Sequence, residues 1–304
     1  MKPVCFSTKI SLDKAKKLKD DLTDQGFSFT QPPYTIFSAK KKGISIALYE
    51  SGKLTVQGKE KDEFIEFYLE PNILESFEYS HPESEKDLSE HIGVDEAGKG
   101  DFFGPLCIAG VFATPAQIKE LMNIGVKDSK RFSDSKILKM SPQIKKIATH
   151  QLIRIFPKKY NELYAKFKNL NSLLGWGHAT VIYELYKKTN SPKALIDQFA
   201  SKHVVEKALM KKKIPIQLEQ KHKGEEDVVV AAASIIARAA FLEGMEALSK
   251  EFDIPLPKGA SKEVEKTAKK ILAKQGINTL DAVSKTHFKT YKEIIEDADI
   301  SKNS

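Results

Sequence analysis

The sequence predicts an α/β protein in two parts: a mixed sheet flanked by helices over residues 91–304, and a smaller α+β unit over 1–80, joined by a linker at 81–90. Three observations carry this. In the second part, strand-like apolar runs first follow one another and then alternate with helical patterns, the order of a mixed sheet covered by helices. The first part holds one helical pattern, three short strand patterns and a second helix. Between them, "YSHPESEKDLSE" (79–90) is polar, carries one proline and has no periodicity, as a domain boundary does.

The elements follow in chain order. Leu12, Ala15, Leu18 and Leu22 recur at helical spacing, with Gly26 as the stop. Strands are expected at Tyr34–Ser38, Ile44–Tyr49 and Leu54–Gln57, separated by the turn-like Lys40-Lys41-Lys42-Gly43 and Glu50-Ser51-Gly52-Lys53. A helix over Asp62–Leu69 is expected to end at Pro71. The second part opens with a strand into Gly93–Glu96 and a second, apolar one at Leu106–Ala113. Helical patterns and strands then alternate: helix 133–149, strand 151–156, helices 158–168 and 171–188, strand 194–196, helix 201–211, strand 216–219. A long apolar helix at 227–250 and a lysine-rich one at 261–275 complete it.

Bulk properties narrow the function. Hydrophobic content of 41% and charged content of 30% over 304 residues are those of a soluble globular chain with room for a core. The run Val228–Ala237 is too short to span a bilayer and reads as a buried helix, so no membrane association is expected. The start, MKPVCFSTKI, has no apolar secretory segment, and Cys5 and Cys107 form no CxxC pair. A cytoplasmic chain with two buried thiols is expected. Net charge is +8, and residues 1–80 balance at 12 lysines against 12 acids, so the excess lies wholly in 81–304. Such a surface favours a polyanion, nucleic acid first; a merely solvated lysine-rich surface has the same charge.

"GVDEAGKGDFFGPL" (93–106) carries the chemistry. Gly93 to Lys99 imitates the GxxxxGK phosphate loop, but that loop needs a hydroxyl after its lysine and then a helix. Here Gly100 follows, and Asp101-Phe102-Phe103-Gly104-Pro105 forbids a helix. Asp95 and Glu96 suit a hard cation better, since magnesium takes oxygen ligands and shares its shell with substrate phosphates. Two such ions about 3.5 to 4 Å apart activate a water and stabilise the leaving oxygen in a displacement at phosphorus. Asp95 ends a strand. Glu96 points to the opposite face while the strand is regular, and joins the site only if regularity ends at Ala97-Gly98.

Other segments add candidates with alternatives. Asp197, in "ALIDQF", follows an apolar strand; alone it favours a turn former. Glu225-Glu226-Asp227 precedes the apolar helix, where acids are also favoured by the macrodipole. Gly98, Lys99 and Gly100 let the backbone approach a ligand, such as a ribose edge, and equally suit a tight turn. Gly175 and Gly177 each cost a helix about 1 kcal/mol, so close backbone packing is the expected return. His178, which follows them, suits the core or a position behind the site better than a ligand role.

With these residues in view, the chain resembles a known family. "VDEAGKGDFFGPL" (94–106), "VKDSK" (126–130), "LNSLLGWGHA" (170–179), "LIDQF" (195–199) and "AAASIIARAAF" (231–241) are similar to the ordered motif set of bacterial ribonuclease HIII. The matches extend over most of residues 92–241, in the family's order. The resemblance implies an RNase H-like fold preceded by a small substrate-binding domain similar to half of a TATA-binding protein. That appendage, and lysine at position 99, separate the chain from the sister family ribonuclease HII.

By resemblance, Asp95, Glu96, Asp197 and Glu225 form the catalytic and metal-binding acids, with two magnesium or manganese ions as cofactors. Family members place the fourth acid as Lys-Ala-Glu, whereas here the text is Lys223-Gly224-Glu225 and the distance back from Ser234 is one residue short. Glu225 is the first choice and Glu226 the second. Gly98, Lys99 and Gly100 would read the ribose 2′-OH, and Lys127, Asp128, Ser129 and Lys130 would touch the nucleic-acid backbone. The implied reaction is endonucleolytic cleavage of the RNA strand of an RNA/DNA hybrid, leaving 5′-phosphate and 3′-hydroxyl ends, by an enzyme expected to be a monomer. The N-terminal domain is expected to add affinity, with Lys40, Lys41 and Lys42 as a local basic face despite its zero net charge. A nucleotide hydrolase and a non-catalytic hybrid-binding module are the rival classes.

Overall fold

The computed structural model describes residues 5–76, 79, 87–197, 202–221 and 224–302. The chain divides into two compact units, Met1–Asp87 and Leu88–Ser304.

In the first unit, β1 (Cys5–Lys9), α1 (Ala15–Asp24), β2 (Ser28–Thr30), β3 (Thr35–Lys41), β4 (Ile44–Tyr49) and β5 (Lys53–Gly58) precede α2 (Lys61–Phe64). The strands form one antiparallel sheet in the order β1-β5-β4-β3-β2. Alternation sets its two faces. Phe37, Ala39, Ile46, Leu48, Leu54 and Val56 are buried with Leu18 and Leu22 of α1, while Ser38, Lys40, Ser45, Ala47, Thr55 and Gln57 occupy the alternate positions. Two of the five strands, β1 and β2, lie at the sheet edges and escape the pattern reading because neither has a fully buried residue to mark an apolar face.

The expected stop at Pro71 is corrected. After Phe64 the helix continues with π-type pitch through Pro71 to Leu74 and ends where Glu75 turns left-handed, φ 54°. Ile65, Leu69 and Ile73 recur every fourth residue and are buried against the sheet. That packing outweighs the amide hydrogen bond that proline cannot make.

The second unit runs β6 (His91–Ala97), β7 (Leu106–Ala113), α3 (Pro115–Asn123), α4 (Asp134–Ile147), β8 (Thr149–Ile155), α5 (Pro157–Phe167), α6 (Leu170–Thr189) and β9 (Lys193–Asp197). It continues with α7 (Lys202–Met210), β10 (Gln217–Lys221), α8 (Val228–Glu251), α9 (Lys262–Gln275), α10 (Ile277–Val283) and α11 (Lys289–Lys302). The sheet order is β10-β9-β6-β7-β8, with β6, β9 and β10 parallel and β6, β7 and β8 antiparallel neighbours. This is the mixed α/β sheet the pattern implied.

Two cores cover its faces. Ala109 and Val111 of β7 pack with α8, α3, α4 and α9. Ile92 and Val94 of β6 and Ile108 of β7 face Leu173, Leu174, Val181, Ile182 and Leu185 of α6. Among the described residues α8 alone is long and apolar enough to cross a bilayer, and most of it is buried inside this unit. Close approach is built in with glycine. A Cβ on Gly93 would meet Val230 N at 2.4 Å, and one on Gly177 would meet Ile108 Cδ1 at 2.1 Å. A Cβ on Gly175 would meet Val204 Cγ1 at 2.7 Å. The glycines of α6 thus bring its backbone against the sheet and α7, a return for their poor helix propensity.

Candidate active site

Strand register decides which acids meet. β6 and β9 run parallel, with Val94 opposite Ile196. Asp95 and Asp197 follow those two residues, so the carboxylates stand at the carboxyl ends of neighbouring parallel strands, where functional side chains of α/β sheets collect. Val94 and Ile196 face α6; their successors therefore face α8.

Glu96 takes the other face. β6 stays regular to Ala97, with Glu96 opposite Ile108 and Ala97 opposite Cys107. Regularity ends after Ala97, where Gly98 has φ +88°, and Glu96 reaches toward α6, where the ring Nε2 of buried His178 lies 3.0 Å from Oε2. Lys99 closes the other side by donating from Nζ to Glu96 Oε1 at 2.7 Å. At the strand's end the three acids remain close enough to feel one another.

The electrostatics differ sharply across the pair. Burial pushes the Asp95 carboxyl up to about 7, and the charges of Glu96 and Asp197 add to that. The Ser234 hydroxyl and the Glu96 amide, which donates to Asp95 Oδ1 at 2.8 Å, oppose the rise. Burial also works against ionised Glu96, but the His178 hydrogen bond and the Lys99 ammonium outweigh it and hold the carboxyl down to about 2. One acid is compensated by the protein and the other is crowded by like charge.

Asp197 Oδ1 accepts from the Gly224 amide at 2.9 Å, and a Cβ on Gly224 would meet Asp197 Cα at 2.8 Å. Glycine there lets the 3₁₀ turn Gly224–Glu226 lie against the end of β9. Glu225 is in that turn, its side chain outside the described residues; Glu226 is exposed. Asp227 is the N-cap of α8, accepting from Val229 N at 2.9 Å and Val230 N at 3.0 Å, with His91 Nε2 at 3.1 Å. Of the acidic cluster, Asp227 is therefore occupied in capping.

The glycine loop is a reversal between β6 and β7. Gly98 has φ +88° and a Cβ there would meet Pro105 O at 2.2 Å, while the space around Gly100 is open. No helix follows Lys99, and its ammonium is committed to Glu96, so this is no phosphate cradle. The "KDSK" stretch divides by burial. Asp128 accepts from Lys130 N at 3.0 Å, and buried Ser129 shares a 2.8 Å hydrogen bond with Ser234. Lys127 and Lys130 are exposed. Of "LIDQF", Gln198 and Phe199 lie outside the described residues.

The donor set fits a hard divalent cation. Asp95 and Asp197 offer carboxylate oxygens on one face, and Asp95 is raised by burial and then by the charges of Glu96 and Asp197, a cost that a cation there would offset. Among the described residues no three His, Cys, Asp or Glu side chains form a ready cage. Magnesium-type binding needs only one or two carboxylates, which share the ion with water and substrate phosphate. Sequence reasoning missed Ser234 and Gly224 as supports of this site: Ser234 is far from Asp95 in sequence, and Gly224, though next to Glu225, is 27 residues from the Asp197 that it bonds.

Comparison with known proteins bears on this geometry. The family model described as Ribonuclease HII matches residues 92–291, and a domain of unknown function matches 6–80. A ribonuclease HIII of Protochlamydia amoebophila is 53% identical over 290 residues, 95% of this chain and 96% of the relative. That of Chlamydia abortus is 49% identical over 298 residues, 97% of this chain and 99% of its own. Among solved structures, Bst-RNase HIII in complex with Mn2+ superposes with a TM-score of 0.68 at 26% identity, covering 97% of this chain and 99% of that one. Aquifex aeolicus RNase H3 gives a TM-score of 0.55 at 26% identity, covering 92% and 98%.

Proposed function

The chain belongs to the ribonuclease HIII family, and from that premise we propose that it cuts the RNA strand of RNA/DNA hybrids at the Asp95–Asp197 face of its mixed sheet. The observation that carries the site assignment is the register of β6 and β9, which sets two carboxylates side by side at the carboxyl ends of neighbouring central strands.

Asp95 and Asp197 are the residues that would hold divalent metal, with Glu96 and Glu225 completing the set. Two magnesium or manganese ions held there would supply Lewis acidity at the scissile phosphate, for a water and for the leaving oxygen, and the ends expected are 5′-phosphate and 3′-hydroxyl. The chain's own groups do the rest. Ser234 and the Glu96 amide orient Asp95, and the Gly224 amide orients Asp197. His178 and Lys99 hold Glu96 ionised. The open backbone at Gly100, beside Gly98 and Lys99, approaches the ribose and reads its 2′-OH. Lys127 and Lys130 offer exposed cations to the phosphate backbone.

The N-terminal unit adds affinity. The uncovered positions of its sheet carry small and polar side chains, Lys40, Ser45 and Gln57 among them. Such a face admits a duplex closely and supplies hydrogen bonds without bulk.

The test is cleavage of a hybrid labelled on its RNA strand, with magnesium, with manganese and with chelator. Cutting that needs either metal, is lost in Asp95→Asn, and is suppressed by one deoxyribose at the scissile position is the expected result. Full activity of Asp95→Asn would sink the site assignment. Binding without metal-dependent cutting would leave a hybrid-binding module instead.

A further inference from the structure

Lys285 is fully buried, although among the described residues no acidic side chain is seen to bond it. Its ammonium donates to three backbone carbonyls of one loop: Asp101 O at 2.7 Å, Gly104 O at 2.7 Å and Phe103 O at 3.3 Å. Three donors meet three acceptors, so the ammonium is saturated and the carbonyls, which face inward, are satisfied. This is the loop that continues from Gly98–Gly100.

The backbone around Lys285 holds the same loop. Lys285 N donates to Phe102 O at 2.9 Å, Gly104 N donates to Val283 O at 3.0 Å, and Phe103 pairs with Ser284 as an isolated antiparallel bridge. Asn161 of α5 fixes this segment from the far side. Its Nδ2 donates to Ser284 O at 3.0 Å, and its Oδ1 accepts from Thr286 N at 3.1 Å. Burial pushes the ammonium down to about 7, against the pull of Asp101. A charge kept in so costly a place needs a structural return, and hydrogen bonding of the charged form to carbonyls supplies one.

We infer that Lys285 is a positioning residue for ribose recognition: an internal cation, 180-odd residues from the motif, that gathers the carbonyls of Asp101, Phe103 and Gly104 and so sets the path of the Gly98–Gly100 backbone. This rests on the proposed ribose-reading role of that backbone. An apolar side chain of the same length leaves three inward carbonyls without a donor, and the loop must move to find water. A misplacement of about 1 Å at a reacting centre costs on the order of 10²-fold in rate.

The test compares the full-length protein with Lys285→Met at pH 6, below the value near 7 to which burial lowers the ammonium, so that all three donors are present. Amide hydrogen exchange over residues 98–104 should quicken at least tenfold in the variant. Cleavage of hybrid should fall about 10²-fold, chiefly in kcat, and discrimination against a deoxyribose at the scissile position should weaken in step. Mn2+ binding to the hybrid-free protein, counted from the electron spin resonance of unbound ion, should stay within twofold, because Lys285 touches neither Asp95 nor Asp197. Unchanged exchange and unchanged discrimination in a folded variant would overturn the inference. So would a loss of Mn2+ binding parallel to the loss of rate, which makes Lys285 a general support. If Lys285→Met does not fold, Asn161→Ala decides: it loosens the segment without removing the ammonium, and unaltered exchange and discrimination in it refute the idea. Should the unmodified protein not cut hybrid at all, the functional reading fails on its own, while the exchange result still reports whether Lys285 sets the loop.

Discussion

Gly93→Ala tests how tightly the site depends on contact between β6 and α8. The added methyl would stand 2.4 Å from Val230 N, 2.5 Å from Val229 C and 2.8 Å from Val229 O, all backbone atoms that no rotamer change can clear. Ordinary contact begins at 3.4 Å, so the first turn of α8 must retreat by about 1 Å. Overpacking of this kind costs about 1–3 kcal/mol. Val230 N is also one of the two amides capped by Asp227, so the same displacement strains a cap worth about 1 kcal/mol. A total loss of about 2–4 kcal/mol is expected in urea unfolding. The retreat also separates Ser234, on α8, from Asp95, two residues beyond Gly93. Hybrid cleavage should fall by about 10²-fold even where the variant is fully folded. Gly100→Ala is the control for stability, because nothing lies within 4 Å of its added Cβ; its unfolding free energy should stay within about 0.5 kcal/mol. If Gly93→Ala keeps both its stability to within about 0.5 kcal/mol and its rate to within twofold, the strand and helix are not in the close contact on which this reasoning depends.

Three further outcomes are expected. His178→Ala removes a hydrogen bond to a buried ionised carboxylate, and should lower the unfolding free energy by about 1.5–3 kcal/mol in urea titration; no change would mean Glu96 has another adequate partner. Deletion of residues 1–87 should leave the second unit folded on its own two cores and raise KM for hybrid with little change in kcat; an unchanged KM counts against a binding role for the first unit. Lys285 has its pKa lowered from 10.5 to about 7, so between those values the unfolded chain holds a proton that the folded chain has shed. The stability of the unmodified protein relative to Lys285→Met should therefore rise as pH increases from 7 toward 10.5 and lie flat below 7; a difference that falls over that interval contradicts the burial of the ammonium.

Much of the fold was legible because its signals are local. The alternation in β4 and the spacing of apolar residues in α1 each state which face is buried, and no distant residue is needed to read them. α3 was missed although its signal stands in the text: Thr114 and Gln117 form a capping box around Pro115 at the first helical position. The helix running through Pro71 was not legible, because packing of Ile65, Leu69 and Ile73 on the sheet overrides the residue's own preference.

For the site, the sequence by itself determined the residue types: carboxylates at the ends of two strands, glycines at a reversal, and, through its motifs, the family. Tertiary structure decided their arrangement. Parallel register brings Asp95 beside Asp197, while strand alternation turns Glu96 to His178 and not to α8. A turn 27 residues on supplies the Gly224 amide to Asp197, and a lysine near the other end of the chain holds the loop that follows the acids. Periodicity reports which face an element buries. It is silent on which other element meets that face, because that choice is made by packing among segments far apart in the chain.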